Sequence, residues 1–364
     1  MELRSCRPEE RLDAIRLSRS VFKDNMAEQF ATLFAPENVE RMLVAVDGGK
    51  VVSMVNYYPG PVRIGPATIR VASIGSVCTD PAYRGQGLAA NLLRLAEAKM
   101  LAEGIHVVVI SGGGGIYSAF GSEQAGDMRE ATVPTAHLAS VPGVSIRPYA
   151  PSDFNALRRL HAQDPVRFVR RAREFRQLLE GQTYPDTYAD YPVRLVERDG
   201  AAVAYAILVI DKGNDEVGIK EMGGDRAALV AAFPLFLAEF ERVRIHFAAA
   251  PDDPVLGVAE EKKPIHQFAS LKIVDFPGCM KALRPFFRSV LGKTADELRF
   301  TAPEGVATIF GGGSSLRVTD PKELAKIVFG CAGSYHSGAD GWLGETLSRI
   351  FPVPFPWTHS INYQ

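Results

Sequence analysis

Apolar residues recur at helical spacing through residues 9–22 (Leu12, Ile15, Leu17, Val21, Phe22), which predicts an amphipathic helix. A less regular stretch, 23–40, follows. Residues 43–46 and 51–58 are then rich in β-formers and flank Asp47-Gly48-Gly49, a hairpin signal. Residues 69–78 predict a further strand, 88–101 a Leu- and Ala-rich amphipathic helix, and 105–110, apolar throughout, a buried strand. Four glycines, Gly112 to Gly115, lead into a short helix at 116–120.

The same order then returns. Residues 145–149 read as a strand and 151–161 as a helix opened by Ser152 or Asp153. Residues 193–198 and 203–210 form a hairpin around Asp199-Gly200, followed by a strand at 217–222, a helix at 226–240 and a strand at 242–248. A duplicated fold is the economical reading. Residues 251–264, rich in Pro and charge, read as a linker. Beyond it lie a strand at 270–276, a helix at 280–291, short β segments at 298–300 and 306–310, a turn at Gly311 to Gly313, and a helix at 321–329 with Asp320 as N-cap. The tail, 350–364, is rich in Pro and aromatics. The chain thus divides into regions 1–140, 141–265 and 266–364, in line with two or three domains for 364 residues.

Composition narrows the function. Hydrophobic residues make up 46% and charged residues 23%, enough for ordinary cores. A net charge of -1 argues against nucleic acid as the main partner. No run of about 18 apolar residues predicts a membrane span, and the start, MELRSCRPEE, has no apolar stretch of the secretory type. Cys6, Cys78, Cys279 and Cys331 form no CxxC pair, and the seven histidines show no HExxH spacing, so no metal site is expected. Widely spaced cysteines without a leader point to reduced thiols and the cytoplasm. His106 and His161 read as surface or hydrogen-bonded histidines. Glu97, Lys99 and Glu103 read as the solvated face of their helix.

The chemistry concentrates in Val77-Cys78-Thr79-Asp80-Pro81-Ala82-Tyr83-Arg84-Gly85-Gln86-Gly87-Leu88-Ala89-Ala90-Asn91. A strand ends, a Pro turn follows, and a Gly-rich loop opens a long helix. A helix N-terminus offers unpaired N–H groups and partial positive charge, hence an anion site. Gly85 and Gly87 let backbone approach a pyrophosphate, and Arg84 adds a charged donor. No P-loop occurs, and Gly112 to Gly115 lack dinucleotide-site spacing. That run reads as a place where backbones crowd.

Arg84, Gly87 and Ala89, in Arg-x-x-Gly-x-Ala after a strand ending Val-x-Thr-x-Pro, resemble the coenzyme A signature of the GNAT acetyltransferase superfamily, without a gap over 74–91. The resemblance implies acetyl-CoA as cosubstrate and no metal. It implies cofactor contacts from Val77, Cys78, Thr79, Arg84, Gly85, Gln86, Gly87, Leu88 and Ala89: the loop would hold the pyrophosphate, and the strand would pair with the pantetheine arm.

Ile116-Tyr117-Ser118-Ala119-Phe120-Gly121 resembles the Ile-Tyr-x-x-Phe-Gly element of the Eis-like acetyltransferases. Pro251-Asp252-Asp253-Pro254, Lys272-Ile273-Val274-Asp275 and the aromatic-Pro tail match as well. Ser122-Glu123-Gln124 departs from the Tyr-Gly often found there. The implied fold is α+β: tandem GNAT units, each a mixed, mostly antiparallel sheet flanked by helices, followed by a sterol-carrier-protein-like α/β domain. The implied roles are Tyr117 as the acid that protonates the leaving thiolate, and the terminal carboxylate, here on Gln364, as the group that helps deprotonate the amine. Walls of the acceptor site would come from 22–34, with Asp24, Glu28 and Phe30 suited to a cationic amine. The acceptor would be a primary amine: a small cation, polyamine or aminoglycoside-like compound, or a lysine. A homo-oligomer, a hexamer in that subgroup, is also implied.

The repeat supplies an internal contrast. Its loop, Glu221-Met222-Gly223-Gly224-Asp225-Arg226, lacks the signature, and Asp225 would cap the following helix and occupy the anion site itself. The second unit should not bind coenzyme A. The competing function is non-catalytic: a CoA- or apolar-ligand-binding protein whose third region carries lipid.

Overall fold

The computed structural model describes residues 1–23, 25–112, 114–139, 141–182, 188–332 and 337–362. The first elements are β1 (Glu2–Ser5), α1 (Arg11–Val21), α2 (Met26–Gln29), β2 (Met42–Asp47), β3 (Lys50–Ile64), β4 (Ala67–Thr79), α3 (Leu88–Ala102), β5 (Val107–Ile110), α4 (Gly115–Ala119) and β6 (Glu123–Gln124). Next come β7 (Met128–Pro134), β8 (Val144–Pro148), α5 (Phe154–His161), β9 (Val166–Phe168), α6 (Ala172–Gln182), β10 (Ala189–Asp190), β11 (Val193–Arg198), β12 (Ala201–Asp211), β13 (Glu216–Gly224), α7 (Arg226–Phe240) and β14 (Arg244–Ala249). The chain continues through β15 (Lys262–Ile265), β16 (Ser270–Ile273), α8 (Phe276–Leu291), β17 (Arg299–Thr301), β18 (Ala307–Gly311), β19 (Ser314–Val318), α9 (Pro321–Phe329) and α10 (Gly341–Ile350).

Two large sheets share one plan. The first runs β1-β2-β3-β4-β5-β16-β6, and the second β8-β11-β12-β13-β14-β7-β15. In each, one neighbouring pair is parallel, β4 with β5 and β13 with β14, and the other pairs along the path are antiparallel. A parallel pair needs a crossover, and α3 and α7 supply it. An extra strand flanks the third position in both: β9 on β3 and β10 on β12. Each sheet borrows its sixth strand from a distant part of the sequence. β16, beyond residue 265, pairs with β5; β7, before residue 140, pairs with β14.

Residues 251–264 are not a linker, and this expectation is corrected. Val255 and Leu256 are buried against α7 and its sheet, Asp253 accepts a hydrogen bond from Val255 N (3.0 Å), and β15 pairs with β7. The prolines and the other charges occupy exposed positions, Asp253 pairs with Arg226 (3.0 Å), and Val255 and Leu256 anchor the turn. The third region packs α8, α9, α10 and the sheet β17-β18-β19 onto the far end of the β3–β4 hairpin. Val62, Ile64, Ile69 and Val71 share a core there with Leu283, Phe287 and Phe351. α8 starts earlier than its apolar period suggests because Asp275 caps it, accepting from Gly278 N (2.9 Å). The polar face of α3 is also not simply solvated. Glu103 accepts from Arg41 Nε and Tyr57 Oη (both 2.8 Å), Lys99 donates to Ser5 Oγ (3.1 Å), and Glu97 pairs with Lys272 (2.6 Å). These groups tie the helix to strands that sequence spacing cannot place beside it.

Candidate active site

β4 and β5 stay paired from Val71↔Val107 to Ile74↔Ile110, and no further. β4 continues to Thr79 against β3 alone, so residues 75–79 present an open backbone edge toward β5. A bulge sits where they part. The β3–β4 register shifts between Met54↔Cys78 and Asn56↔Gly75, Ser76 takes φ 53°, and its hydroxyl lies 2.7 Å from that of Ser18. Asn56 is fully buried opposite Gly75. Neither its amide nitrogen nor its oxygen has a hydrogen-bond partner among the described residues. Cys78 points into the core beside Cys6 and Met54, and burial pushes its thiol up to about 12. It can offer a ligand only backbone.

Beyond the strand, Asp80 accepts from Ala82 N (3.0 Å) and pairs with Lys50 (2.7 Å), while Arg84 Nε donates to Thr79 O (3.3 Å). Gly85 (φ 79°) and Gly87 (φ 72°) adopt left-handed backbone, and a Cβ at either would meet nothing within 4 Å. Glycine is needed for its conformation here rather than for crowding. Gly87 is the N-cap of α3 and supplies no side-chain cap. Its carbonyl accepts the first intrahelical bond, from Asn91 N (3.0 Å), which leaves the N–H groups of Leu88, Ala89 and Ala90 open to an anion. Arg84, Gly85, Gln86 and Gly87 are exposed around them, and Leu88 is buried as the anchor. At α7 the corresponding place is filled. Asp225 accepts from Ala228 N (3.0 Å) and from Arg198 Nη1 (2.9 Å). The residues present therefore suit a pyrophosphate at α3 and not at α7.

Tyr117, on α4, lies against Gly112. A Cβ there would sit 2.5 Å from the ring and 2.9 Å from the phenol oxygen. The crowding expected in the glycine run comes from this side chain rather than from backbone. The position of α4 is set from outside it. Ser122 N and Oγ donate to Tyr117 O (3.0 and 2.9 Å), and Ser270 Oγ donates to Ser122 Oγ (3.0 Å). Lys272 Nζ stands 3.9 Å from the Phe120 ring centroid, and Lys322 Nζ donates to Ser118 Oγ (2.6 Å). Tyr117 borders a cleft of about 1020 Å³ between α4, the open face of the second sheet and the tail, with Ser111, Lys220, Phe268 and Trp357 also on its walls. Burial pushes the Lys220 ammonium down to about 8.

The tail is anchored through Asn362. Gln267 Nε2 donates to Phe355 O (3.1 Å) and Gln267 Oε1 accepts from Thr358 N (3.0 Å); Ala269 N donates to Thr358 Oγ1 (3.0 Å). Asn362, Thr358, Ser73, Val109 and Ser111 line one small gap where β4 and β5 part. Gln364 and Asp24 lie outside the described residues. Glu28 is paired with Arg19 (2.5 Å), and Phe30 packs on the core beneath α1; neither borders the large cleft.

Sequence reasoning missed the buried polar cluster behind the tail. Arg170 donates bidentately to Glu221 (2.7 Å each) and through Nε to Asn362 Oδ1 (2.6 Å). Tyr205 Oη donates to Glu221 Oε1 (2.8 Å), and His161 Nε2 donates to Phe168 O (2.8 Å). Only the duplicated order of elements hinted that these residues converge. Burial pushes the His161 and His359 imidazoles down to about 4 and the nearby Asp164 carboxyl up to about 6. Between pH 4 and 6 the unfolded chain therefore binds two imidazole protons that the folded chain lacks, and the folded chain binds one on Asp164. From these groups stability rises with pH by about 1.4 kcal/mol per unit and is lost on acidification. His161→Gln removes one of the two imidazoles. Wild-type stability, measured by denaturant unfolding from pH 6 to 4, should fall about 1.4 kcal/mol per unit more steeply than that of the variant. Parallel profiles would mean that His161 is not held neutral.

Residues 2–125 match the family described as an acetyltransferase (GNAT) domain. Domains of this family use acetyl-CoA, and the chain is an acyltransferase. No curated protein matches the chain. Among solved structures, it is similar to a GCN5-related N-acetyltransferase from Anabaena variabilis (14% identity, 90% of this chain and 89% of that one, TM-score 0.64). It is also similar to one from Kribbella flavida (19%, 88% and 83%, 0.59) and to Eis1 from Mycobacterium abscessus (13%, 90% and 90%, 0.62). At these identities the likeness is one of fold. No helix among the described residues is long and apolar enough to cross a membrane.

Proposed function

We propose that the chain is an N-acetyltransferase moving an acetyl group from acetyl-CoA to a primary amine by direct attack. The observation that carries this reading is the α3 N-terminus, uncapped at Gly87 and placed directly after the open edge of β4. The N–H groups of Leu88 and Ala89, with Gly85, Gln86 and Arg84, would hold the pyrophosphate. Val77, Cys78 and Thr79 would run beside the pantetheine arm with their backbone. Acetyl-CoA supplies an acyl carbon activated as a thioester. The amine nitrogen forms a bond to that carbon as the carbon–sulfur bond breaks, Tyr117 gives its phenolic proton to the departing thiolate, and the amine's proton passes to the Gln364 carboxylate. Transfer of that proton back to the phenoxide, directly or through water, restores both groups and leaves an amide and CoA thiol.

Around that centre we read tandem GNAT units, 1–140 and 141–265, with 266–364 as a sterol-carrier-protein-like region of a cytoplasmic homo-oligomer; the shared plan of the two sheets supports the duplication, although each sheet takes one strand from across these boundaries. The acceptor is a small cationic amine, a polyamine or aminoglycoside-like compound, or a lysine, met by Tyr117 on the α4 side; Glu28, paired with Arg19, and Phe30, packed on the core, do not border the cleft that Tyr117 lines. A lipid carrier is the weaker reading. Phe287 fills the third region's interior, with ring centroids 5.7 Å from Phe300 and 5.9 Å from Phe351.

Gly87→Glu tests the site. Acetyl-CoA at 100 times its Kd should stabilise the wild type by about 2.7 kcal/mol, read as a rise in Tm. Glu at 87 places an anion where an anion must bind and should abolish the rise. Gly48→Glu, equally strained (φ 54°) but at the β2–β3 turn, should keep it. An unchanged rise in Gly87→Glu would remove the pyrophosphate from α3.

A further inference from the structure

We infer that Lys272, in the third region, is a positioning residue for the transfer in the first unit: it braces the helix that carries Tyr117 against the helix that would carry the cofactor. This rests on the proposed role of Tyr117 as the acid, and it makes the third region part of the active site.

α4 does not hold its own place. It has five residues, none of them buried, and its N-cap, Gly114, supplies no side-chain cap. A helix of that length is not stable by itself. Its supports come from beyond residue 265. Ser270 Oγ donates to Ser122 Oγ (3.0 Å), Lys322 Nζ donates to Ser118 Oγ (2.6 Å), and Lys326 pairs with Glu123 (3.7 Å). Pro321 closes on Gly121, where a Cβ would lie 3.0 Å from the proline ring.

Lys272 differs from these in touching both helices. Its ammonium is 2.6 Å from Glu97 on α3 and 3.9 Å from the ring centroid of Phe120, the C-cap of α4. A Cβ on Gly121 would lie 3.7 Å from Lys272 Cε, so the stem also passes close to the turn after α4. Lys272 is 9% exposed, and water screens its charge less than it would at the surface. Its backbone is fixed as well: on β16 it pairs with Val108 of β5, the strand that leads into the glycine run before α4. Tyr117 and Phe120 are three apart and share a helix face, and both pack on the core under α3. Holding Phe120 therefore sets the rotation of α4 and the aim of the phenol.

That aim matters because the two halves of the reaction centre come from different helices. The α3 N-terminus would fix the pyrophosphate, and through the pantetheine arm the sulfur. α4 fixes the phenol. Proton transfer needs phenol oxygen and departing sulfur within hydrogen-bond reach, and a misplacement of about 1 Å costs about 10²-fold. Glu97 lies roughly two and a half turns beyond Leu88, so the brace grips α3 well away from the anion site and acts on geometry alone.

Lys272→Met keeps most of the stem and removes the charge. It should lower kcat for the best amine by about tenfold or more, with the KM for acetyl-CoA within twofold of wild type and the acetyl-CoA-induced rise in Tm intact. Lys272→Arg, whose guanidinium can pair with Glu97 and stack on Phe120, should keep at least a third of the turnover. In a Tyr117→Phe background, Lys272→Met should cost less than about twofold, because a brace that acts through the phenol has nothing left to position. Glu97→Gln loosens the same brace from a partly exposed site where folding is not at stake, and its loss of turnover should likewise appear only while Tyr117 is present. Wild-type turnover in Lys272→Met, or equal fractional losses in the two backgrounds for either variant, would overturn the inference and leave the role of Tyr117 standing. Wild-type turnover in Tyr117→Phe would overturn that role and the brace with it. Equal losses in Lys272→Met and Lys272→Arg, or failure of acetyl-CoA to raise the Tm of Lys272→Met, would make Lys272 a support of the fold alone and overturn the inference.

Discussion

Tyr117→Phe should lower kcat by about 10²–10⁴-fold, the usual worth of a general acid, while acetyl-CoA still stabilises the fold. The substitution keeps the packing that seats the ring. Gly112 leaves room for the ring, Ser122 holds the backbone carbonyl of Tyr117, and Lys272 and Lys322 pin the rest of α4. Phe keeps all of these and removes one proton donor. The KM for acetyl-CoA should stay near the wild-type value, since the α3 loop is untouched. Rates with a thioester whose leaving thiol has a lower pKa should fall less, because such a thiolate needs its proton less. Wild-type turnover in Tyr117→Phe, or equal losses for good and poor leaving groups, would assign the proton to another donor.

What could be read in advance was local. The Pro turn, Gly85, Gly87 and the Leu/Ala helix are contiguous, and backbone geometry follows from residue type when the partners are near in sequence. Asp320 and Asp225 cap their helices for the same reason. The features missed depend on distant partners. β7 carries Arg129, Glu130 and Thr132 among its apolar residues without a strict alternation, and it becomes a strand because β14 and β15 flank it. α6 carries Phe175, Leu178 and Leu179 at helical spacing; its reason to exist is the second unit's core, including Ile361 from the far end of the chain. Lys272, an ordinary basic residue in an apolar strand by sequence, becomes a link between α3 and α4 only because β16 inserts beside β5. No local period encodes such an insertion, and so the site's scaffold was legible while the contacts that steady it were not.

Arg170→Met should destabilise the protein by about 3–5 kcal/mol, the cost of leaving one partner of a buried pair charged and alone. Glu221 is 8% exposed, and with Arg170 gone it keeps the hydroxyl of Tyr205, the N–H of Ile361 and His161 Nδ1 at 3.8 Å, none of which is a full positive charge while His161 is neutral. The guanidinium's packing on Phe175, 4.7 Å from the ring centroid, is approximated by the methionine chain, so the loss is electrostatic in the main. Arg170→Met with Glu221→Leu removes the stranded charge. Stability should return to within roughly 1–2 kcal/mol of wild type, the remainder being the Tyr205 hydroxyl left with a weaker partner. Denaturant unfolding of the single and double variants measures both values. A double variant as unstable as the single one would mean that the pair is itself a net source of stability.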